Sequence, residues 1–350
     1  MISKMSKSCV AAILAGLIYF VMTDAIAQYY ENSYAFVVGI DKYASSKWPA
    51  LQYAKKDAQS VANFLRHQGF AVIELYDEKA TKTAIIAVMQ NHLARRLKEN
   101  DRVFLFFAGH GYTEQLGGDD FGYIIPYDGK EFSATYISME ELRAQSDKMK
   151  KAKHQLFIFD SCYGGLFGTR GVQPVNKAIP NYLGEITKRS ARQFITAGGK
   201  DQQVLDGSSS GHSFFTQYLL EALQGGFGDI NNDGYITFTE LAGYLIPRAS
   251  NAYQTPASGT LPGHGLGEFI FRAPQNTSKR ESPKITAGER KDDNPTRMTG
   301  KRTSKKWLWI GLGTAALGGG AVAILAGGGN VEDELIRNRL PDPPGAPTGN

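Results

Sequence analysis

Four short runs of this chain are almost wholly apolar: residues 34–40 (Tyr-Ala-Phe-Val-Val-Gly-Ile), 71–76 (Ala-Val-Ile-Glu-Leu-Tyr), 102–108 (Arg-Val-Phe-Leu-Phe-Phe-Ala) and 155–160 (Gln-Leu-Phe-Ile-Phe-Asp). A strand with one face in water alternates apolar and polar side chains, whereas a strand covered on both faces does not. Runs this short and this apolar belong inside a sheet with helices on both sides. The intervening segments supply the helices. Residues 57–68 carry Ala58, Val61, Ala62 and Leu65 at helical spacing and stop at Gly69. Thr81 or Thr83 caps a second helix that runs to about residue 98 along Ile85, Ile86, Val88, Met89, Leu93 and Leu97. Further strands are expected at 193–197 and 267–272. This alternation predicts an α/β fold, a mostly parallel central sheet, and ligands at the carboxyl ends of its strands.

The two ends of the chain have a different character. Residues 1–27 combine basic Lys4 and Lys7, an apolar stretch and Ala25-Ile26-Ala27, the pattern of a signal peptide cleaved after Ala27. An uncleaved anchor helix is the other reading, and with either one the domain after it is exported. Residues 28–272 make one domain, large enough to bury a core without disulfides. Residues 273–306 are rich in Pro, Ser, Thr and Asn, and hold ten Lys or Arg against four Asp or Glu. That is a flexible linker, and it accounts for the net charge of +5 without a nucleic-acid partner. Residues 307–327 are uncharged and apolar, long enough for a transmembrane helix, with Trp307 and Trp309 suited to an interface. Their glycines favour close helix packing and self-association, and a Gly-rich tail is the competing reading. Residues 328–350 are a disordered tail. Basic residues before the apolar stretch and acidic ones after it oppose the positive-inside rule, so the orientation of this helix is left open.

Without its leader the chain has one cysteine, Cys162, in Phe-Asp-Ser-Cys-Tyr-Gly-Gly. An exported protein that uses cysteine structurally normally carries an even set, so a single thiol is either a reactive group or a small hydrophobe. A thiol of pKa near 8.5 is only about 3% thiolate at pH 7 and needs a base to act as a nucleophile. His110, between Gly109 and Gly111 just past the third apolar run, is the best placed; His67 and His92 lie in helices, His154 precedes a strand, and His212 and His264 lie in Gly-rich loops. The amides of Gly111 and Cys162 are suited to an oxyanion hole.

The segments Tyr-Ala-Phe-Val-Val-Gly-Ile, Ala54-Lys55-Lys56-Asp57-Ala58, Phe107-Ala108-Gly109-His110-Gly111, Phe159-Asp160-Ser161-Cys162-Tyr163-Gly164-Gly165, Thr196-Ala197-Gly198-Gly199 and His212-Ser213-Phe214-Phe215 occur in order. With them residues 34–272 resemble a bacterial member of the caspase-like cysteine peptidases, related to metacaspases and paracaspases. The resemblance implies a caspase-like α/β/α sandwich, with Cys162 as nucleophile and His110 as general base and acid. It also implies that Asp160, where caspases have glutamine, makes the S1 pocket negative, so that cleavage follows Arg or Lys. Asp57 matches a second acidic position of that pocket; a helix N-terminal carboxylate is the alternative. A basic, Gly-rich stretch at 167–192, with Arg170, Lys177, Lys188 and Arg189, matches the place of a processing loop.

Residues 229–240 fit a twelve-residue EF-hand loop. Asp229, Asn231 and Asp233 would give side-chain oxygens, Tyr235 its carbonyl, Thr237 a direct or water-mediated contact, and Glu240 a bidentate carboxylate around Gly234. It is a single loop where such loops usually pair, and a turn capping a helix without Ca2+ is the other reading. The expected function is an exported, membrane-tethered cysteine endopeptidase acting on protein or peptide substrates, with no cofactor required for the chemistry. The alternative is a catalytically silent, calcium-responsive interaction module. A redox role lacks a resolving cysteine, and nothing in the chain suggests a nucleotide, haem or zinc.

Overall fold

The computed structural model describes residues 26–162, 167–170, 181–198 and 210–274. The expected membrane segment and tail lie outside these residues, as do the expected leader but for Ile26 and Ala27 and the expected linker but for Ala273 and Pro274. Ala273 is buried and its amide donates to the Gly234 carbonyl at 2.9 Å, so the domain runs at least one residue past the boundary expected at 272. Among the described residues no helix is long and apolar enough to cross a membrane.

The chain enters β1 (Ser33–Gly39), α1 (Ala54–His67) and β2 (Ala71–Tyr76), and then α2 (Lys82–Ala87), which continues as a π-helical turn over Val88–Ala94 into β3 (Arg102–Ala108). A hairpin of β4 (Gly111–Leu116) and β5 (Asp119–Ile124) pairs with short β6 (Ile137–Ser138), and α3 (Met139–Lys148) leads into β7 (His154–Cys162). Next come β8 (Thr169–Arg170), α4 (Tyr182–Lys188), β9 (Ala191–Gly198), α5 (Phe214–Leu223), β10 (Tyr235–Thr237), α6 (Phe238–Ala249), β11 (Ala257–Thr260) and β12 (Ile270–Arg272).

The central sheet has the order β2-β1-β3-β7-β9-β11-β8. Its first five strands are parallel, and β11 and β8 close one edge in antiparallel pairing. All seven residues of β1 and of β3 are buried, as continuous apolar runs require. Alternate side chains serve two layers. Val37, Phe104, Phe106, Leu156, Ile158 and Ile195 pack with α1, α5 and α6, while Phe36, Val38, Leu105, Phe107, Phe157 and Phe159 meet Ile85, Met89, Ile124 and Leu142 on the opposite face. At Gly39 a Cβ would fall 2.6 Å from that of Ala58 and 2.8 Å from the Ala54 carbonyl, so glycine lets α1 lie against β1.

Two expectations change. The strand expected at 267–272 shortens to β12 and pairs with β10 outside the central sheet, although Phe269 and Phe271 still fill its core. The strand that pairs with β9 at this edge is β11, whose Ala-Ser-Gly-Thr sequence carries no apolar run to announce it. The helix expected to continue to about residue 98 starts as foreseen, with Thr81 Oγ1 accepting from the Ala84 amide at 3.2 Å, and then widens into the π-helical turn.

Candidate active site

Ala108 on β3 pairs with Asp160 on β7, so His110 and Cys162, each two residues further on, leave the same carboxyl edge side by side. The Gly109 amide donates to the Asp160 carbonyl at 3.3 Å and extends this pairing. A register irregularity between Phe159 and Cys162 then precedes the pairing of Cys162 with Gly198; such bulges re-aim the side chains beyond them. The Cys162 side chain lies outside the described part of the structure.

His110 is held on several sides by the loop between β1 and α1. Its amide donates to Tyr43 Oη at 2.7 Å, and its Nε2 lies 2.8 Å from the Pro49 carbonyl. A carbonyl only accepts, so Nε2 carries a hydrogen, and Nδ1 is the basic nitrogen of the neutral ring. The imidazole sits 5.1 Å from the Tyr43 ring and 5.7 Å from Trp48. A Cβ at Gly109 would stand 2.7 Å from Tyr43 Oη, which explains the glycine before the histidine.

That loop is itself pinned. Asp41 Oδ1 accepts from the Lys55 amide (2.9 Å) at the start of α1, and the Asp41 carbonyl accepts from the Leu51 amide (2.8 Å). The Asp77 carboxylate accepts from the amides of Asp41 (2.9 Å) and Lys42 (3.1 Å) and from Lys55 Nζ (2.8 Å). Burial alone would raise the Asp77 carboxyl, but the Lys55 ammonium and the two amides outweigh it and hold the group below its ordinary range.

The second acidic element gathers at the N-terminus of α5. Asp57 is fully buried: Oδ1 lies 2.5 Å from His212 Nδ1 and Oδ2 accepts from the Ser213 amide at 3.0 Å. Asp160, 5% exposed, accepts at Oδ2 from Ser213 Oγ (2.5 Å) and Thr216 Oγ1 (2.6 Å). Ser213 therefore binds both carboxylates while capping α5, its Oγ also accepting from the Thr216 amide at 2.9 Å. Burial, and then the nearby Lys56 ammonium, lower the pKa of His212.

A family model for the caspase domain matches residues 32–242, more than half of the chain. The chain belongs to the caspase-domain peptidase family. The matched part of this caspase domain runs from the threshold of β1 into α6, and so contains His110, Cys162, Asp57 and Asp160. A caspase domain implies a cysteine peptidase acting on protein substrates. Among solved structures, protein GSU0716 from Geobacter sulfurreducens is similar at 20% identity over 66% of this chain and 93% of that one, with a TM-score of 0.48. No curated protein matches the chain.

The EF-hand-like segment of the caspase domain links α5 to α6. Asp229, largely buried, accepts from the amides of Asp233 (3.1 Å) and Gly234 (3.1 Å); Asn231 Oδ1 accepts from the Asp233 amide (2.9 Å), and Asp233 Oδ1 from that of Tyr235 (3.0 Å). Gly234 makes the bend at φ +88°. Thr237 and Glu240 form a capping box on α6, the Glu240 carboxylate accepting from the amides of Thr237 (3.1 Å) and Asn231 (3.3 Å). Pairing of β10 with β12 gives the single loop a strand partner. Among the described residues no group of three or more His, Cys, Asp or Glu converges as a metal site.

Four contributors to the site were not singled out from sequence: the Pro49 carbonyl, Tyr43, His212 and Ser213. A main-chain carbonyl has no sequence signature. The His-Ser pair ahead of an apolar helix was visible, and Ser at an N-cap was its available signal.

Proposed function

We propose that the chain is a cysteine endopeptidase that cleaves after Arg or Lys through Cys162 and His110. The observation that carries this reading is His110, delivered to the carboxyl edge beside the strand that ends in Cys162, with its Nε2 held by the Pro49 carbonyl. In this reading Nδ1 takes the thiol proton as Sγ attacks the scissile carbonyl, and the oxyanion meets the amides of Gly111 and Cys162. Collapse of that intermediate breaks the C–N bond, His110 gives the proton to the leaving amine, and a thioester remains. His110 then takes a proton from water, and hydrolysis of the thioester restores the thiol. The gathering of Asp160 and Asp57 on α5 supports a basic P1 residue, since a buried negative pair favours a guanidinium or ammonium.

In the same reading the domain is exported by its leader and tethered by residues 307–327, and the 229–240 loop takes a calcium ion. The order of its oxygen donors around Gly234 supports the ion, which must displace some of the hydrogen bonds that now hold those oxygens. A thermal melt in calcium against chelator tests this. A rise in Tm that Glu240→Gln abolishes is the expected result; equal melts mean that the loop is a helix cap.

The main test is hydrolysis of fluorogenic peptides with Arg, Lys or Asp at P1 by the purified full-length chain. Turnover after Arg and Lys, lost in Cys162→Ala and His110→Ala, is expected. Turnover after Asp alone overturns the acidic pocket, and no turnover in any condition points to a silent module.

A further inference from the structure

The flank of His110 away from Asp57 and Asp160 is aromatic. Those two carboxylates are bound by α5, on the face of the sheet that carries α1, α5 and α6. The small β4-β5-β6 sheet lies over the opposite face, where its Ile124 packs with Phe107 and Phe159. It starts directly from His110, whose carbonyl accepts from the Ile125 amide at 3.0 Å. On it Tyr112 lies 5.8 Å from buried Tyr136, and Trp48 bridges the gap to the imidazole: its ring is 6.0 Å from Tyr112, 5.4 Å from Tyr136 and 5.7 Å from His110. Trp48 and Tyr112 are half-exposed, so this wall is open to a ligand.

A lysine is already installed there. Lys47 Nζ stands 5.1 Å from the Trp48 ring and 5.4 Å from each of Tyr112 and Tyr136. It donates to Tyr136 Oη at 2.8 Å and to the Glu131 carbonyl at 3.1 Å. Cation–π attraction and these bonds fix the ammonium against the rings.

We propose that Trp48 and Tyr112, backed by buried Tyr136 and with Lys47 among them, form the subsite for the residue on the leaving side of the scissile bond, accepting a large apolar or aromatic side chain and refusing Lys or Arg. The inference rests on the peptidase reading above. In that chemistry His110 hands its proton to the departing amine, so the leaving fragment passes on the imidazole's side, while the acyl side chain goes toward Asp160. An aromatic wall gains most from an apolar or aromatic contact. Because the wall already holds one ammonium, a second cation there meets like charge rather than a vacant π face.

Partitioning of the acyl-enzyme tests this without relying on absolute rates. The full-length chain is acylated by an Arg-P1 ester in the presence of phenylalaninamide, glycinamide or lysinamide. The added amine attacks the thioester carbonyl, a C–N bond forms as the C–S bond breaks, and the amine's proton returns to the thiolate through His110. The ratio of this capture to hydrolysis is set after acylation, so altered stability or a slower first step does not move it. Phenylalaninamide should capture the acyl group at least about tenfold better than glycinamide, and lysinamide no better than glycinamide. Trp48→Ala should reduce the phenylalaninamide advantage to about threefold or less, with Trp48→Phe intermediate, and Lys47→Met should raise capture by lysinamide. Equal capture of phenylalaninamide and glycinamide, or a preference unchanged in both Trp48→Ala and Tyr112→Ala, overturns the subsite while leaving the peptidase intact. Failure to form any acyl-enzyme removes the peptidase reading and this inference together.

Discussion

His154 and His110 stand at opposite ends of neighbouring strands, and their surroundings divide the molecule into a sealed end and a working end. His154 opens β7 fully buried, with both ring nitrogens in use: Nε2 donates to the Arg189 carbonyl at 2.9 Å, and Nδ1 accepts from Tyr30 Oη at 2.6 Å. Beside it Arg102 opens β3, its guanidinium 4.5 Å from the Tyr30 ring and 4.2 Å from Phe70, with Nε donating to Ser33 Oγ at 2.8 Å. His110, just beyond the other end of β3, is half-buried, with Nε2 turned to the Pro49 carbonyl. The same side chain becomes a structural hydrogen-bonding block where both nitrogens are enclosed. Where the ring stands at the carboxyl edge of the sheet and meets solvent, the imidazole is accessible to a ligand.

The sharpest contrast comes from removing each imidazole. His110→Ala should lower kcat/KM on an Arg-P1 peptide by about 10^4-fold with little change in urea stability. His154→Ala should do the reverse, retaining kcat per folded molecule while costing about 2–3 kcal/mol, because Tyr30 Oη and the Arg189 carbonyl lose their partner in a dry site. Similar kinetic losses in both would erase the distinction.

Next in size is Gly109→Ala. Its methyl group would press on Tyr43 Oη and on the Phe107 ring, in a backbone conformation that side chains rarely adopt, so a fall in kcat of about 10^2-fold is expected together with a stability loss of about 1–3 kcal/mol. An unaffected kcat would mean that the Tyr43 contact does not position the ring.

Acid should expose the sealed end first. Burial pushes His154 down to about 3 from 6.5. Below pH 6.5 the unfolded chain therefore takes up a proton that the folded chain refuses. Stability from this residue is whole above that value and declines toward pH 3, by at most about 1.4 kcal/mol for each pH unit. Urea midpoints at pH 7 and pH 5 should differ by more in the parent than in His154→Phe, and equal slopes would assign the acid sensitivity elsewhere.

The smallest expected change is at the α5 cap. Ser213→Ala removes one partner of Asp160 and the helix cap, for about 1 kcal/mol of stability. It should also raise KM for an Arg-P1 substrate about tenfold with kcat retained, the difference expected for one hydrogen bond to a charged group. A loss confined to stability would make Ser213 a cap and nothing more.

Much of this was legible from residue order. Continuous apolar runs of six or seven residues fit a sheet covered by helices on both faces, so a mostly parallel sheet and the placing of His110 and Cys162 at the carboxyl ends of two of its strands came from pattern alone, while the order of the strands did not. Ordered motifs around those two residues identified the family in the same way, and Thr81 was readable as a helix cap because a short hydroxyl side chain before an apolar-periodic run satisfies a free amide, whereas the caps Ser213 and Thr237 were not read as such. Tertiary structure decided what pattern does not encode. β11 is held beside β9 by main-chain pairing despite an Ala-Ser-Gly-Thr sequence, and β12 is drawn to β10 by phenylalanines that fill the core from outside the sheet. The Pro49 carbonyl reaches His110 from 61 residues away, and Ser213 reaches Asp160 across 53. Hydrophobic periodicity is a local property of the chain, whereas hydrogen bonds to backbone groups and contacts between distant loops exist only once the packed core has fixed where those loops stand.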